Sequence, residues 1–500
     1  MHSEPLSTRK DIDELTDSSI SFVNHLLIES NENRRWRDRA NRKRFSRLLK
    51  YRASVELTMS LTDEVMRITS IPQAAKALRQ NAKLASVEGL GFVDFIGLKV
   101  AAPLSKIFPG LVMPIINWRV RAAANGIILP AESAALLKHI ECRNVEGIRL
   151  NINLLGEAVL GNAEANARLS AISELISRPE VNYASVKISS IVSQLITIDH
   201  AGSVERAAGQ LRILYRQAQT CGVFINLDME EFRDLRITVD AFKEVLSEPE
   251  FSAMDAGIVL QAYLPESHAA FAELTEWALE RHAESGGRIK IRLVKGANLA
   301  MEKAEAELHG WVPAPYATKA DVDASYARSI DVALRPEYAQ AIRIGVASHN
   351  LFHVAWAIEV ARLRGVEDQL DIEMLEGMAN AEALAVVHQF GRVLLYTPIT
   401  REKDFPTAVA YLVRRLDENT SVENYLRASF DMKTGNIEFI AQRERFIESV
   451  QARHSISTQS KRHTLAGHDA GSDFELGIFR NQSDGDPTNS EFRGAVQKAI

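Results

Sequence analysis

Cysteine is almost absent from these 500 residues: Cys142 and Cys221 are the only two, and neither sits in a CxxC or Cys/His ligand spacing. A disulfide framework and a zinc site are therefore not indicated, and a reducing compartment fits. The N-terminal MHSEPLSTRKDIDEL lacks an apolar signal core. The most apolar region, 90–130, is broken by Asp94, Lys99, Lys106, Arg119 and several prolines, so no stretch reads as a membrane span. No apolar run leads into GxGxxG or a GxxxxGK turn, which removes the usual dinucleotide and P-loop fingerprints. An overall basic excess is missing too: a net charge of −6 and a pI near 6.2 give no global preference for nucleic acid.

What is present is enough apolar material, 46%, for a sizeable core, over a length that calls for at least two structural units. The first 140 residues carry helical periodicities such as SISFVNHLLIES and SVELTMSLTDEVMRI, and they read as a helical domain. Within it, 34–52 concentrates ten Lys or Arg against one Asp. It reads as a solvated or subunit-facing helix, the other use being an anionic membrane surface or nucleic acid. The stretch GLGFVDFIGLKVAAPLSKIFPGLVMPIINW is expected to pack internally or between domains, with an amphipathic membrane contact as the alternative.

From about 147 the texture changes. Eight short apolar runs recur: GIRLNINLLG, NYASVKISSI, GVFINLDM, AGIVLQAYL, RIKIRLVKGA, IRIGVASHN, QLDIEML and RVLLYTPI. Helical patterns such as FRDLRITVDAFKEVLS separate most of them, so the repeating unit is a strand followed by a helix. Eight such units predict a (β/α)8 barrel of TIM type over 141–435, after a helical domain at 1–140. Residues 436–500 are expected to form a helix and a flexible linker, rich in Ser, Asp, Gly and Asn beyond 453.

Active sites of such barrels collect at the C-terminal strand ends. There the sequence places Lys187, Asp228, Gln261 and Tyr263, Arg292 and Lys295, then Ser348, His349 and Asn350, then Glu373 and Glu376, and Tyr396. Plainer roles exist: Asp228 opens a D-x-x-E cap, Lys187 and Glu373 can form a barrel ion pair, and His349 with Asn350 can bond within a loop. Arg292 and Lys295 before a glycine suit a diphosphate. In YLVRR, Tyr411, Arg414 and Arg415 converge on one helical face, a clamp suited to a carboxylate. A diphosphate-bearing cofactor with an acid substrate follows, the pattern-level alternative being a Schiff-base lyase on Lys187 or Lys295.

At these residues the chain resembles the proline dehydrogenase domain of the proline utilisation A family, over about 147–430. The markers are LLGEA at 154–158, SVKISS, LDMEE, LQAY, RLVKGA, the SHN ending of the sixth strand, EMLEGMA and YLVRRLDEN, in family order. The helical prefix resembles, less specifically, that family's dimerisation arm and helical domain. The resemblance implies that the barrel is distorted and holds FAD non-covalently, and it implies oxidation of L-proline to Δ1-pyrroline-5-carboxylate by hydride transfer to flavin N5, with electrons passed to a membrane quinone. It implies that Arg414 and Arg415 bind the proline carboxylate. Lys187 and Asp228 line the substrate side, with Tyr396, Tyr411 and Leu375 completing the pocket. Arg292 approaches flavin N5 and Gln261 its pyrimidine edge. Lys295, Gly296, Ala297, Thr318, Lys319, Ser348, His349, Asn350 and Glu418 serve the pyrophosphate and adenosine portions.

The chain departs from many relatives in carrying Asn298 and Leu299 after KGA, where they have aromatic residues; altered packing around the flavin is the expected consequence. No ribbon-helix-helix start precedes the helical domain, so no nucleic-acid partner is expected. Family proteins continue into an NAD-dependent aldehyde dehydrogenase with a reactive cysteine, and neither Cys142 nor Cys221 is placed for that role. The tail FELGIFRNQSDGDPTNSEFRGAVQKAI resembles the junction into that domain, so the chain is expected to be a fragment of a bifunctional enzyme. A homo-oligomer is expected for the full-length protein. The expected location is cytoplasmic, with peripheral contact at the inner face of the cell membrane. A catalytically silent scaffold for a partner dehydrogenase is the third reading.

Overall fold

The structure, a computed structural model, describes residues 9–34, 46–47, 51–124, 126–156, 159–405, 408, 424–462 and 483–500. All eight expected strands form: β1 (Ile148–Leu154), β2 (Tyr183–Lys187), β3 (Phe224–Asp228), β4 (Ala256–Gln261), β5 (Ile289–Val294), β6 (Ile342–Ala347), β7 (Leu370–Leu375) and β8 (Val393–Thr400). Every neighbouring pair is parallel, and β8 pairs with both β7 and β1, which closes the barrel. Closure leaves no unpaired edge among them, so the backbone polar groups of buried strands are satisfied within the ring. A two-residue segment, Leu129–Pro130, also pairs in parallel with the end of β8, at Ile399 and Thr400.

The crossover helices are set by local signals. In His200–Cys221, Asp199 accepts a hydrogen bond from the Gly202 amide at 3.2 Å, and Gly222 ends the helix in the left-handed region at φ 68°. Leu351–Arg364 is apolar on nearly every side, with residues 351–358 all buried. It is covered by the barrel and also packs against the helices Arg9–Glu32 and Ile437–Ala452. Phe22, Val23, Leu26 and Leu27 of the first of these, and Phe439, Phe446 and Val450 of the second, join the barrel's own core. Full burial of each such side chain stabilises the fold by about 1.5–3 kcal/mol.

Helices Arg52–Ser60, Leu61–Met66, Ile71–Asn81, Phe92–Ile107 and Pro109–Ala124 have a separate core around Leu57, Val65, Leu78, Leu98, Val112 and Met113. Of the two packings expected for GLGFVDFIGLKVAAPLSKIFPGLVMPIINW, the internal one is met on one side. Only one face of the hairpin 92–124 reaches that core, and Phe92, Val93, Ile107, Leu111, Ile115 and Trp118 are exposed. Most of the basic stretch 34–52 lies outside the described residues. Of the C-terminal segment expected as linker, the described parts lie against the barrel. Arg453 meets Asp331 at 2.8 Å, Tyr316 donates to the Ser457 carbonyl at 2.5 Å, and Trp311 donates to the Asp484 carbonyl at 2.7 Å.

Candidate active site

Strand alternation inside a barrel sends every second side chain inward, and the C-terminal ends of β1–β8 surround one cleft of about 300 Å³. Lys187, Asp228, Gln261, Arg292, Lys295, Gly296, Ala297 and Lys319 line it, together with Ser348, His349, Asn350, Leu375 and Tyr396. Of the residues expected there, Thr318 and Tyr263 do not: the Thr318 hydroxyl caps the helix Lys319–Ala333 by accepting from the Asp321 amide at 3.1 Å, and the Tyr263 hydroxyl donates to the Glu230 carbonyl at 3.3 Å. Tyr411, Arg414, Arg415 and Glu418 lie outside the described residues. Glu376 turns away from the cleft to the buried pair it makes with Arg143.

The centre of the cleft is a chain of opposite charges. Arg292 on β5 donates from Nη1 to Asp228 Oδ1 at 3.2 Å, and its Nε lies 2.8 Å from Glu373 Oε2. Tyr396 donates to Asp228 Oδ2 at 2.9 Å, Asn226 donates to Oδ1 at 2.9 Å, and Asn153 donates to the Tyr396 hydroxyl. The Arg292 guanidinium also lies 4.6 Å from the centre of the Tyr396 ring. Burial lifts the Asp228 carboxyl above the ordinary carboxylate range against the opposing pull of Arg292, Tyr396 and Lys187. Burial also works against charge on Arg292, but Glu373 and Asp228 outweigh it and hold the guanidinium protonated. Asp228 therefore binds an arginine and a tyrosine, and the capping role open to it in the sequence is not the one it takes.

The ion pair anticipated between Lys187 and Glu373 does not form. Lys187 meets Glu230 at 2.6 Å, because β2 adjoins β3 and Glu230 follows directly after β3. Glu373 pairs instead with Lys290 at 2.7 Å and with Arg292. Lys290 and Asp371 escaped the sequence reading altogether, although Lys290 stands two residues before Arg292 and Asp371 two before Glu373, the spacing that puts both on one strand face.

At the side of the cleft, Lys295 and Lys319 share Asp323. Burial and the neighbouring Lys319 charge pull the Lys295 ammonium down to about 8 despite Asp323. Gly296 has φ 107°, and a Cβ there would stand 2.4 Å from the Tyr263 ring, so the loop over the cleft requires glycine. His349 Nε2 accepts from the Leu375 amide at 3.2 Å, while Asn350 caps the helix Leu351–Arg364 through the Phe352 amide at 3.0 Å.

A closed parallel barrel with charged and hydrogen-bonding side chains gathered at its C-terminal rim defines a (β/α)8 protein with a ligand site of the enzyme type. The chain belongs to the proline dehydrogenase family, whose profile matches residues 136–428. It is 27% identical over 325 residues to the bifunctional protein PutA of Klebsiella aerogenes, across 60% of this chain and 23% of that protein. It is 27% identical over 288 residues to a proline dehydrogenase of Deinococcus radiodurans, across 56% of this chain and 81% of that protein. Among solved structures, proline utilisation A from Corynebacterium freiburgense matches with a TM-score of 0.66 and 46% identity over 76% of this chain and 36% of that one. The enzyme from Bdellovibrio bacteriovorus inactivated by N-propargylglycine matches with a TM-score of 0.76 and 25% identity over 98% of this chain and 48% of that one. The chain thus spans less than a quarter of the length of the Klebsiella relative and less than half of either solved structure.

Proposed function

We propose that this chain oxidises L-proline to Δ1-pyrroline-5-carboxylate, with FAD bound non-covalently in the cleft and its electrons passed to a quinone. The observation that carries the reading is the meeting of Arg292, Asp228 and Tyr396 at the centre of a cleft whose side holds two lysines, in a chain of this family. The residues present fit the cofactor. Gln261 is buried; its amide nitrogen donates to the Met229 carbonyl at 2.8 Å, and its oxygen has no hydrogen-bond partner among the described residues, an acceptor suited to an imide N–H. Lys295 and Lys319 suit a diphosphate, and Gly296 permits close approach of the backbone.

Bound flavin supplies a hydride acceptor at N5. The chain's residues position and balance charge: Arg292 offsets developing negative charge, and Asp228 with Tyr396 fixes the guanidinium plane. Arg414 and Arg415 hold the substrate carboxylate, with Tyr411, Tyr396, Leu375 and Lys187 around the ring. The test is anaerobic addition of proline to the purified yellow protein. Bleaching of the flavin band is expected, and Arg415→Ala raises the proline concentration for half-bleaching by tenfold or more, on the order of the 1.5–3 kcal/mol of a charged hydrogen bond. A flavin band indifferent to proline sinks the substrate assignment.

A Schiff-base reading is favoured by the place of Lys295 in the wall of the cleft, where burial and Lys319 pull its ammonium below the ordinary lysine range. Borohydride trapping of a lysine adduct would support it over the flavin reading.

No helix among the described residues is long and apolar enough to cross a membrane. The reading of peripheral membrane contact is supported by the exposed apolar face of helices Phe92–Ile107 and Pro109–Ala124, where Lys99 and Lys106 are exposed beside it. Sedimentation with vesicles containing anionic lipid is expected to bring the protein down, and Trp118→Asp with Leu111→Asp to release it. Equal sedimentation of the two proteins would remove this face from membrane binding.

A further inference from the structure

We propose that Glu373, clamped from below by Lys290, is the positioning residue that aims Arg292 at the reacting centre, an inference that rests on the flavin and proline reading above. Glu373 is fully buried, and its two oxygens are divided: Oε1 lies 2.7 Å from Lys290 Nζ and Oε2 lies 2.8 Å from Arg292 Nε. Lys290, 2% exposed, is itself anchored by donating to Asp371 Oδ2 at 2.9 Å. Asp371 in turn meets Arg149 at 2.7 Å and Arg343 at 3.4 Å on the side away from the cleft. The row therefore runs from the outer arginines through Asp371, Lys290 and Glu373 to Arg292, alternating in sign at every step.

The backbone is shaped for this crossing. Lys290 and Arg292 lie on β5 and their carboxylates Asp371 and Glu373 on β7, with β6 between them. On β6 the residue in register with Arg292 and with Asp371 is Gly345. A Cβ at Gly345 would stand 2.2 Å from Glu373 Oε1 and 2.9 Å from the Lys290 Cε. The missing side chain opens the gap through which a β5 cation reaches a β7 anion.

Two anions hold Arg292 at different nitrogens, Asp228 through a hydrogen bond at Nη1 and Glu373 through close charge contact at Nε, outside hydrogen-bond geometry, so the guanidinium is drawn to two points rather than one. With Glu373 gone, Asp228 and the Tyr396 ring would hold the fork from one side, and the arginine would shift towards β3. Glu373 contributes by direction, because a second negative charge beside Arg292 weakens the cleft's net positive field.

That difference gives a test whose two explanations have opposite signs. Wild type, Glu373→Gln, Arg292→Lys and the double variant are purified as flavoproteins, and the reduction potential of the bound flavin is measured with the rate of anaerobic bleaching by proline. Neutralising a carboxylate that acts only through its charge would raise the potential, since the reduced flavin is the more negative form. Loss of aim lowers it. Glu373→Gln is expected to lower the potential and slow bleaching at saturating proline by about a hundredfold, with half-saturation moving less than about threefold. In the Arg292→Lys background the same substitution should cost less than about fivefold, because the fork it aims is already gone. The paired variant Lys290→Met with Glu373→Gln removes one charge of each sign and gives the same result where the single variant fails to fold. A raised potential, or an equal loss in both backgrounds, overturns the positioning role. A colourless wild type removes the flavin reading itself, and this inference with it.

Discussion

Lys290→Met is expected to lower the unfolding free energy by about 3–5 kcal/mol at pH 7, the cost of breaking a buried ion pair from one side. Lys290 sits between Asp371 and Glu373 with almost no access to water, at 2.9 and 2.7 Å. Burial works against its charge, but the two carboxylates more than offset it and raise its pKa. Without the ammonium, Glu373 keeps only Arg292, and Asp371 keeps only the partly exposed Arg149 and Arg343. The urea midpoint measures the loss, and Lys290→Met with Glu373→Gln should recover a large part of it. The pH dependence has a definite sign. Burial pushes the Asp371 carboxyl up, yet Lys290, Arg149 and Arg343 bring it down to about 2. A carboxyl depressed on folding stabilises the protein above its unfolded value near 4 and stops doing so as pH falls through its folded value. The deficit of the variant is therefore full at pH 7 and narrows from about pH 4 towards 2. A deficit below about 1 kcal/mol at pH 7 would show that the row is solvated or dispensable.

The barrel was legible because strand runs and helical runs differ in period, and all eight runs became strands. The rim residues were legible for a related reason: Lys187, Asp228, Gln261, Arg292 and Tyr396 are polar groups inside or ending apolar runs, where burial demands a partner. Who partners whom was not legible. Lys187 and Glu373 are both near strand ends, but they lie on β2 and β7, and register rather than chemistry decides that Lys187 meets Glu230. Lys290 and Asp371 were hidden by their single-residue context. A lysine between isoleucines in RIKIRLVK also suits a side chain that reaches outward, and its acceptor on Asp371 is 81 residues away. Gly345 reads as an ordinary strand glycine until the two side chains that cross over it are placed. The exposed hairpin face escaped for the opposite reason: composition shows that a segment is apolar but not which of its faces finds a neighbour.

Arg292→Met is expected to slow proline-dependent bleaching by about a thousandfold, on the scale of losing one preorganised donor to developing charge in a water-poor site. Three features combine to produce so large an effect. Arg292 is 8% exposed, so its charge acts through little screening water. It is held by Asp228 and Glu373 and stacked near Tyr396, so little reorganisation is needed as charge develops. The substitution also leaves Asp228 and Glu373 facing the cleft without their shared cation, turning a balanced centre negative where negative charge is to be accommodated. Arg292→Lys keeps the charge but not the fork, and it should recover part of the rate while remaining at least about tenfold below wild type. Because the lysines at the side of the cleft are untouched, flavin should stay bound and the visible band should persist in both variants. Single-turnover bleaching at saturating proline separates these effects from weakened substrate binding. A loss smaller than about tenfold in Arg292→Met, with flavin retained, would move the charge-balancing role to another cation of the rim.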